Sequence, residues 1–360
     1  MQNIINIIVF LLVLGSIIII HELGHFLTAK YFGVYCGQFS IGFGPKIWSK
    51  KGKETEYEIR ALPFGGFVAM AGEEDQLDNE NMKDVPLERT LKGIKTYQKV
   101  AIYLAGVFMN FVLALVIIFG INLTSGQIPS NIAQIGSIVE DSPAEIYGLQ
   151  EGDVIKKIII EETGEEILVG NFSDIKIKGE ATPPESSLHL HITVDRNGTD
   201  TIVDVKVSLD EAQGGYKLGI VEATRSMTFV ESLQYTFQMF GEMSVMIFGA
   251  IGQLITKFSQ TIGQMSGPAG IYQMTAEITE TGQITYLLSF LAMLSVNIGI
   301  FNLMPIPGLD GCQVIFALVE KVIGRELPEK LKITLQLIGL GLVILLMVIV
   351  TYQDILRIFG

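Results

Sequence analysis

The chain has 360 residues, 49% of them hydrophobic and 18% charged, with a mean hydropathy of +0.45. An average soluble chain carries roughly 25% charged residues, so this composition excludes a disordered chain and most soluble enzymes and fits a membrane protein with a soluble part. Two cysteines, Cys36 and Cys312, are too few for a disulfide scaffold, and a net charge of −13 argues against nucleic acid as a partner.

Four uncharged stretches reach the length of about 20 residues that a bilayer requires: 1–20, 100–123, 281–309 and 333–353. The first has no basic residue before it and no small-residue cleavage pattern after it, so it reads as a retained span rather than a signal peptide. A fifth stretch, 243–256, is uncharged for only 14 residues, and 228–256 as a whole reads as an amphipathic interfacial helix. Ten Lys and Arg residues lie between positions 46 and 99, and Lys321, Arg325, Lys330 and Lys332 lie between the third and fourth spans. The positive-inside rule places both connections in the cytoplasm and the segment 124–280 outside. That external segment holds 22 acidic and 9 basic residues, an excess equal to the net charge of the whole chain; a solubilised domain surface accounts for it.

Within the external segment, 135–139, 154–160, 188–194 and 201–207 read as strands, with Asn197-Gly198 as a hairpin turn. Ser142-Pro143-Ala144 opens a short helix, with Ser as N-cap and Pro at the first helical position, and Gly148 closes it. Ile135-Gly136-Ser137-Ile138, Ser142-Pro143-Ala144, Gly148-Leu149 and Gly152-Asp153-Val154-Ile155 together resemble a PDZ domain of the bacterial protease type. The resemblance implies peptide binding by strand addition, with a substrate terminus as ligand.

The first span leads into His21-Glu22-Leu23-Gly24-His25. On a helix, positions i and i+4 share a face, so both imidazoles can reach one cation. Glu22 lies about 100° around the helix, beside the ion, where it can accept a proton from water. Polar side chains at membrane depth are costly unless paired or functional, which disfavours a merely structural pair of histidines.

A catalytic zinc site takes three protein ligands and keeps an open position. His189 and His191 alternate along an external strand and are poor third ligands. Asp310, the first charge after the 29-residue run 281–309, is better placed. With four spans, the first and third both run inward, which brings Asp310 to the face that carries His21 and His25. A fifth crossing at 243–256 would leave it about 30 Å away. As an alternative, Asp310 caps a helix beginning near Gln313. Pro305 and Pro307 interrupt the third span, and irregular backbone at membrane depth is tolerated beside a water-filled cavity.

H-E-x-x-H on the first span, Asn302-Leu303-Met304-Pro305-Ile306-Pro307-Gly308-Leu309-Asp310-Gly311 on the third, and the PDZ-like segment between spans resemble the site-2 protease family of intramembrane zinc metalloproteases, in its bacterial form with one PDZ domain. The resemblance implies Zn2+ held by His21, His25 and Asp310, with Glu22 as catalytic base. It makes Asn302, Asn297, Pro305 and Pro307 substrate-side positions and gives 56–70 the form of a membrane-associated β-hairpin or loop, preceded by a turn at Gly42-Phe43-Gly44-Pro45. It further implies single-span membrane protein substrates already shortened outside by another protease, such as anti-sigma factors or signal-peptide remnants. The expected fold is a polytopic α-helical membrane protein of four transmembrane helices with an inserted extracytoplasmic PDZ (α+β) domain, in the lipid bilayer of the inner (plasma) membrane, its active site toward the cytoplasm. The expected segments are 1–30 (first helix), 31–99 (cytoplasmic β-hairpin and loop), 100–123 (second helix), 124–210 (PDZ domain), 211–280 (interfacial helix and linker), 281–311 (third helix), 312–332 (connection) and 333–356 (fourth helix). The rival expectation, a non-catalytic PDZ adaptor, requires a missing ligand or base, and none is missing.

Overall fold

A computed structural model describes residues 2–73, 82, 84–175, 187–210 and 215–359. Parts of the expected 31–99 and 124–210 segments fall outside the described residues. The chain forms two compact units, Met1–Ile121 with Leu233–Gly360, and Asn122–Ser232.

The first unit opens with helix α1 (Gln2–Tyr31). It runs on past the uncharged stretch 1–20, so His21 and His25 sit inside a continuous helix. Strands β1 (Cys36–Lys51) and β2 (Glu56–Met70) follow, then α2 (Thr96–Ser125). The β-structure is more elaborate than a simple hairpin. Ser40 and Ile41 pair with Phe67 and Gly66, while Trp48 to Lys51 pair with Ile59 to Glu56, and Phe39 to Ile41 also lie beside Tyr57 to Ile59. The expected turn at positions 42–45 is instead a bend inside β1. Gly42 (φ +88°) and Gly44 (φ +82°) supply left-handed backbone there, so the strand folds back without ending. The root of this ribbon buries Val34, Phe39, Val68 and Met70 against Ala29 of α1 and Ile102 of α2.

The second unit contains β3 (Gln127–Pro129), β4 (Ile135–Ile138), α3 (Pro143–Ile146), β5 (Val154–Ile160), β6 (Glu166–Leu168), β7 (Ser187–Arg196), β8 (Thr199–Asp210), β9 (Gly215–Tyr216), β10 (Ile220–Glu222) and β11 (Thr224–Ser226). Five strands form one sheet in the order β6-β5-β7-β8-β9, and β4–β10 and β3–β11 make two further antiparallel pairs. Alternation along β7 buries Leu188, Leu190, Ile192 and Val194 on one face. Asn197 (φ +55°) and Gly198 (φ +83°) make the tight β7–β8 turn that their dipeptide signalled. Ser142 caps α3 by accepting a hydrogen bond from the Glu145 amide, with Pro143 at the first helical position.

The first unit resumes with α4 (Phe229–Thr256), α5 (Phe258–Thr261), α6 (Pro268–Glu280), α7 (Ile284–Asn302), α8 (Asp310–Ile323) and α9 (Glu329–Phe359). Four helices, α1, α2, α7 and α9, are long and apolar enough to cross a membrane, by length and composition. α4 is the expected amphipathic helix and is not one of the four. The third expected span is not one helix. α7 stops at Asn302 after 19 residues, and the irregular segment 303–309 separates it from α8. Pro305 and Pro307 lack the amide hydrogens a continuing helix needs. Asp310 is the first residue of α8, whose N-cap is Leu309, so the expected helix start near Gln313 is three residues late.

Cys36 is fully buried at the root of the ribbon, and burial pushes its thiol up to about 12. Only the thiolate is a competent nucleophile. Maleimide treatment of the intact protein should therefore leave the Cys36 peptide unmodified by mass spectrometry, with labelling appearing only after denaturation. Labelling of the folded protein would mean that the ribbon root is open to solvent.

Candidate active site

α1 projects His21 and His25 from one face, one turn apart, with their Nε2 atoms 3.2 Å from each other. The segment that breaks α7 from α8 delivers Asp310 to the same point. Its Oδ2 lies 3.1 Å from His21 Nε2 and 3.4 Å from His25 Nε2. Among the described residues this is the one group of three or more His, Cys, Asp or Glu side chains whose donor atoms converge. His189 and His191 belong to the second unit, where Glu162 and Asp204 partner them.

The triplet has the dimensions of a zinc site. Ligand atoms about 2.0–2.1 Å from a tetrahedral ion stand about 3.3 Å from one another, which is the spacing of these three atoms. Asp310 Oδ2 is buried and has no hydrogen-bond partner, an arrangement that costs free energy unless a cation is its intended partner. Two imidazole nitrogens and one carboxylate oxygen are also an ordinary donor set for zinc. The residues present therefore fit the ion, and they leave one tetrahedral corner for water.

Glu22 does not join the triplet. It lines the same cavity, which has a volume of about 540 Å³ and is walled on one side by Phe67, Val68 and Met70 of β2 and on another by Ile333, Leu337 and Leu340 of α9. A Cβ placed on Gly66 would come within 3.1 Å of Glu22 Cγ, so the β2 backbone passes directly beside the carboxylate side chain.

α2 supplies two residues that the motif search missed. The Ile102 carbonyl accepts a hydrogen bond from His25 Nδ1–H at 2.8 Å, which leaves Nε2 free to ligate. Asn110, fully buried, places its carboxamide 3.3 Å from His21 Nδ1, and its Oδ1 has no other partner. Turned over, that carboxamide accepts Nδ1–H with Oδ1 and holds His21 in the ligating tautomer. Gly106 makes room for both rings, since a Cβ there would lie 2.4 Å from His25 Nε2 and 2.8 Å from His21 Nε2. A buried asparagine inside the uncharged stretch 100–123, four residues after a glycine, was the available signal. Asn297 and Asn302 lie on α7, half-buried, and neither they nor Pro305 and Pro307 are among the residues that line the cavity, although the two prolines shape the segment leading to Asp310.

The description "Peptidase family M50" matches residues 9–346. The chain belongs to this family, the site-2 proteases. A Clostridium perfringens protein provisionally named a zinc metalloprotease is 34% identical over 347 residues, covering 96% of this chain and 97% of the relative. The Bacillus subtilis protein "Regulator of sigma-W protease RasP" is 29% identical, covering 98% and 99%. The Bacillus licheniformis "Zinc metalloprotease RasP" is 30% identical, again covering 98% and 99%. This M50 chain is accordingly a multi-pass membrane zinc metalloprotease, and Zn2+ is its cofactor.

Asn110→Ala in this M50 peptidase should weaken zinc affinity roughly 10- to 100-fold, the usual cost of removing a group that orients a ligand. Gly106→Ala should cost more, because its methyl group displaces the ligand atoms themselves. Elemental analysis of the purified variants against a chelator series measures both, and wild-type zinc retention in both would separate α2 from the site.

Proposed function

We propose that this protein is an intramembrane endopeptidase that cleaves the membrane segments of single-span proteins, with His21, His25 and Asp310 as zinc ligands and Glu22 as general base. The observation that carries this reading is the convergence of donor atoms from two histidines on one helix and from Asp310, 285 positions or more further along the chain, beside a carboxylate in a cavity with apolar walls.

Zinc held there by His21, His25 and Asp310 would supply Lewis acidity, polarising a carbonyl oxygen and acidifying a nearby water. Glu22 accepts the proton of the water that attacks the peptide carbonyl and then delivers it to the departing amine, so the proton is conserved across the cycle. Asp310 and the two imidazoles hold the donor geometry throughout. Among the described residues, the β2 segment Gly66–Ala69 has strand partners on its β1 side only, and its other edge can take an extended substrate as an added strand. That interaction compensates the substrate for helical hydrogen bonds lost when it unwinds. Asn302 and Asn297 stand as further substrate contacts on the strength of the family motif, with Pro305 and Pro307 keeping the backbone before Asp310 open.

The distribution of basic residues supports an active site toward the cytoplasm and an extracytoplasmic second unit, which we read as a single PDZ domain within 124–210. On this reading it receives a substrate end produced by earlier shortening outside the membrane, in the manner of regulated intramembrane proteolysis. The sigma-regulator name of the Bacillus subtilis relative supports anti-sigma factors as one substrate class, with signal-peptide remnants as another.

Glu22→Gln should retain stoichiometric zinc and lose cleavage of a membrane-embedded substrate by roughly 10²–10⁴-fold. Fragments that accumulate in membranes of cells carrying this variant identify the substrates. Cleavage persisting at the wild-type rate would exclude Glu22 as the base. Removing zinc with a chelator should abolish proteolysis, and adding zinc back should restore it; activity that survives complete removal would overturn the zinc mechanism.

A further inference from the structure

Four polar side chains that the mechanism above does not use line the active-site cavity: Glu73, Tyr103, Gln313 and Gln336. Gln336 on α9 lines the cavity, and its Oε1 is buried with no hydrogen-bond partner. It is the sole polar side chain between Thr334 and Thr351, in the N-terminal third of α9 and four residues after Lys332. A buried carboxamide oxygen without a partner among the described residues costs free energy, which a ligand able to pair with it recovers.

The backbone around Gln336 is held close to the zinc-binding segment. A Cβ on Gly339 would lie 1.8 Å from the Pro307 carbonyl oxygen, so α9 touches the backbone of the irregular segment at that point. A Cβ on Gly308 would meet the Gln336 carbonyl oxygen at 3.8 Å. Gly308 is two residues before Asp310. The stretch of α9 that carries Gln336 is therefore packed against the backbone of the segment that leads to Asp310.

The other wall of the cavity explains what it can do. An extended peptide laid along Gly66–Ala69 turns alternate N–H and C=O groups toward the strand and the rest away from it. In a low-dielectric site the outward groups need partners too. The remaining α9 side chains facing the cavity, Ile333, Leu337 and Leu340, offer none. A carboxamide carries one acceptor and two donors and can pair with one backbone C=O or N–H.

We propose that Gln336 is a substrate-binding residue that hydrogen-bonds the backbone of the extended substrate on the face opposite the β2 edge. The ligand class is a peptide backbone, independent of side-chain identity, flanked by apolar side chains that fill the α9 and β2 walls. This inference rests on the endopeptidase reading above.

The test uses the full-length, zinc-loaded Glu22→Gln protein, so that binding is read without turnover. The probe is a fluorescent synthetic peptide of about 20 leucine and alanine residues with lysine ends, together with a series in which each amide in turn is replaced by an ester. Adding Gln336→Leu should weaken binding of the all-amide peptide roughly three- to tenfold, the worth of one hydrogen bond. At least one ester should weaken binding to the Gln336 protein by a similar factor and cost nothing further in the Gln336→Leu form. Equal affinity of the two forms, or an ester penalty unchanged by the substitution, overturns the proposal. Gln336→Met serves as a second apolar replacement should the leucine form lose zinc or fold. If no single ester weakens binding to the unsubstituted Gln336 protein, the proposal fails whatever the variants do. Product appearing with Glu22→Gln would instead count against the base assignment, so the two failures are distinguishable.

Discussion

Two imidazoles and a carboxylate must meet inside a region where water cannot compensate them. Unpaired, each is expensive in a low-dielectric setting, and together they are tolerable only around a cation. Much of the first unit follows from that constraint. α1 runs on past the apolar stretch so that the His21 and His25 faces align. α2 contributes a carbonyl, a carboxamide and a missing side chain at the one place where the rings need them. The chain between α7 and α8 gives up helical hydrogen bonds to bring Asp310 within 3.1 Å of His21.

The same constraint explains which parts of the site could be read from the amino-acid sequence. Helical periodicity places His21 and His25 on one face without reference to any other element, and the parity of four spans brings Asp310 to their side of the membrane. Both inferences use only local geometry and span counting. Asn110 and Gly106 were invisible to that reasoning because their roles exist only when α2 lies against α1. Nothing in a single apolar stretch tells which of its small or polar residues faces a partner. The polar break of an apolar run is a hint of function, but it does not name the partner.

The fold shows a similar division. The β-rich run 154–160, bounded by turn residues, was recovered at its observed limits, and the Asn197-Gly198 turn was set by residues that tolerate positive φ. The ribbon was misread at positions 42–45, because glycine and proline normally announce a turn. Here β1 bends and continues, and its pairing with two separate parts of β2 sustains it. The third helix was drawn too long, although its two prolines were read as an interruption. Absence of charge from 281 to 309 describes solvent preference and is silent on backbone regularity, whereas Pro305 and Pro307 decide where the helix can continue.

Hydrolysis and membrane residence make conflicting demands on such a site. A helical substrate in a bilayer satisfies every backbone group internally, so exposing one scissile bond means replacing several hydrogen bonds at once. Water must reach the same place without solvating the whole segment. A cavity of about 540 Å³ with a strand edge on one wall and an apolar helix on the other answers both demands. On the proposed reading, the strand edge substitutes for the hydrogen bonds the substrate loses, and the apolar wall confines water to the neighbourhood of Glu22, His21, His25 and Asp310.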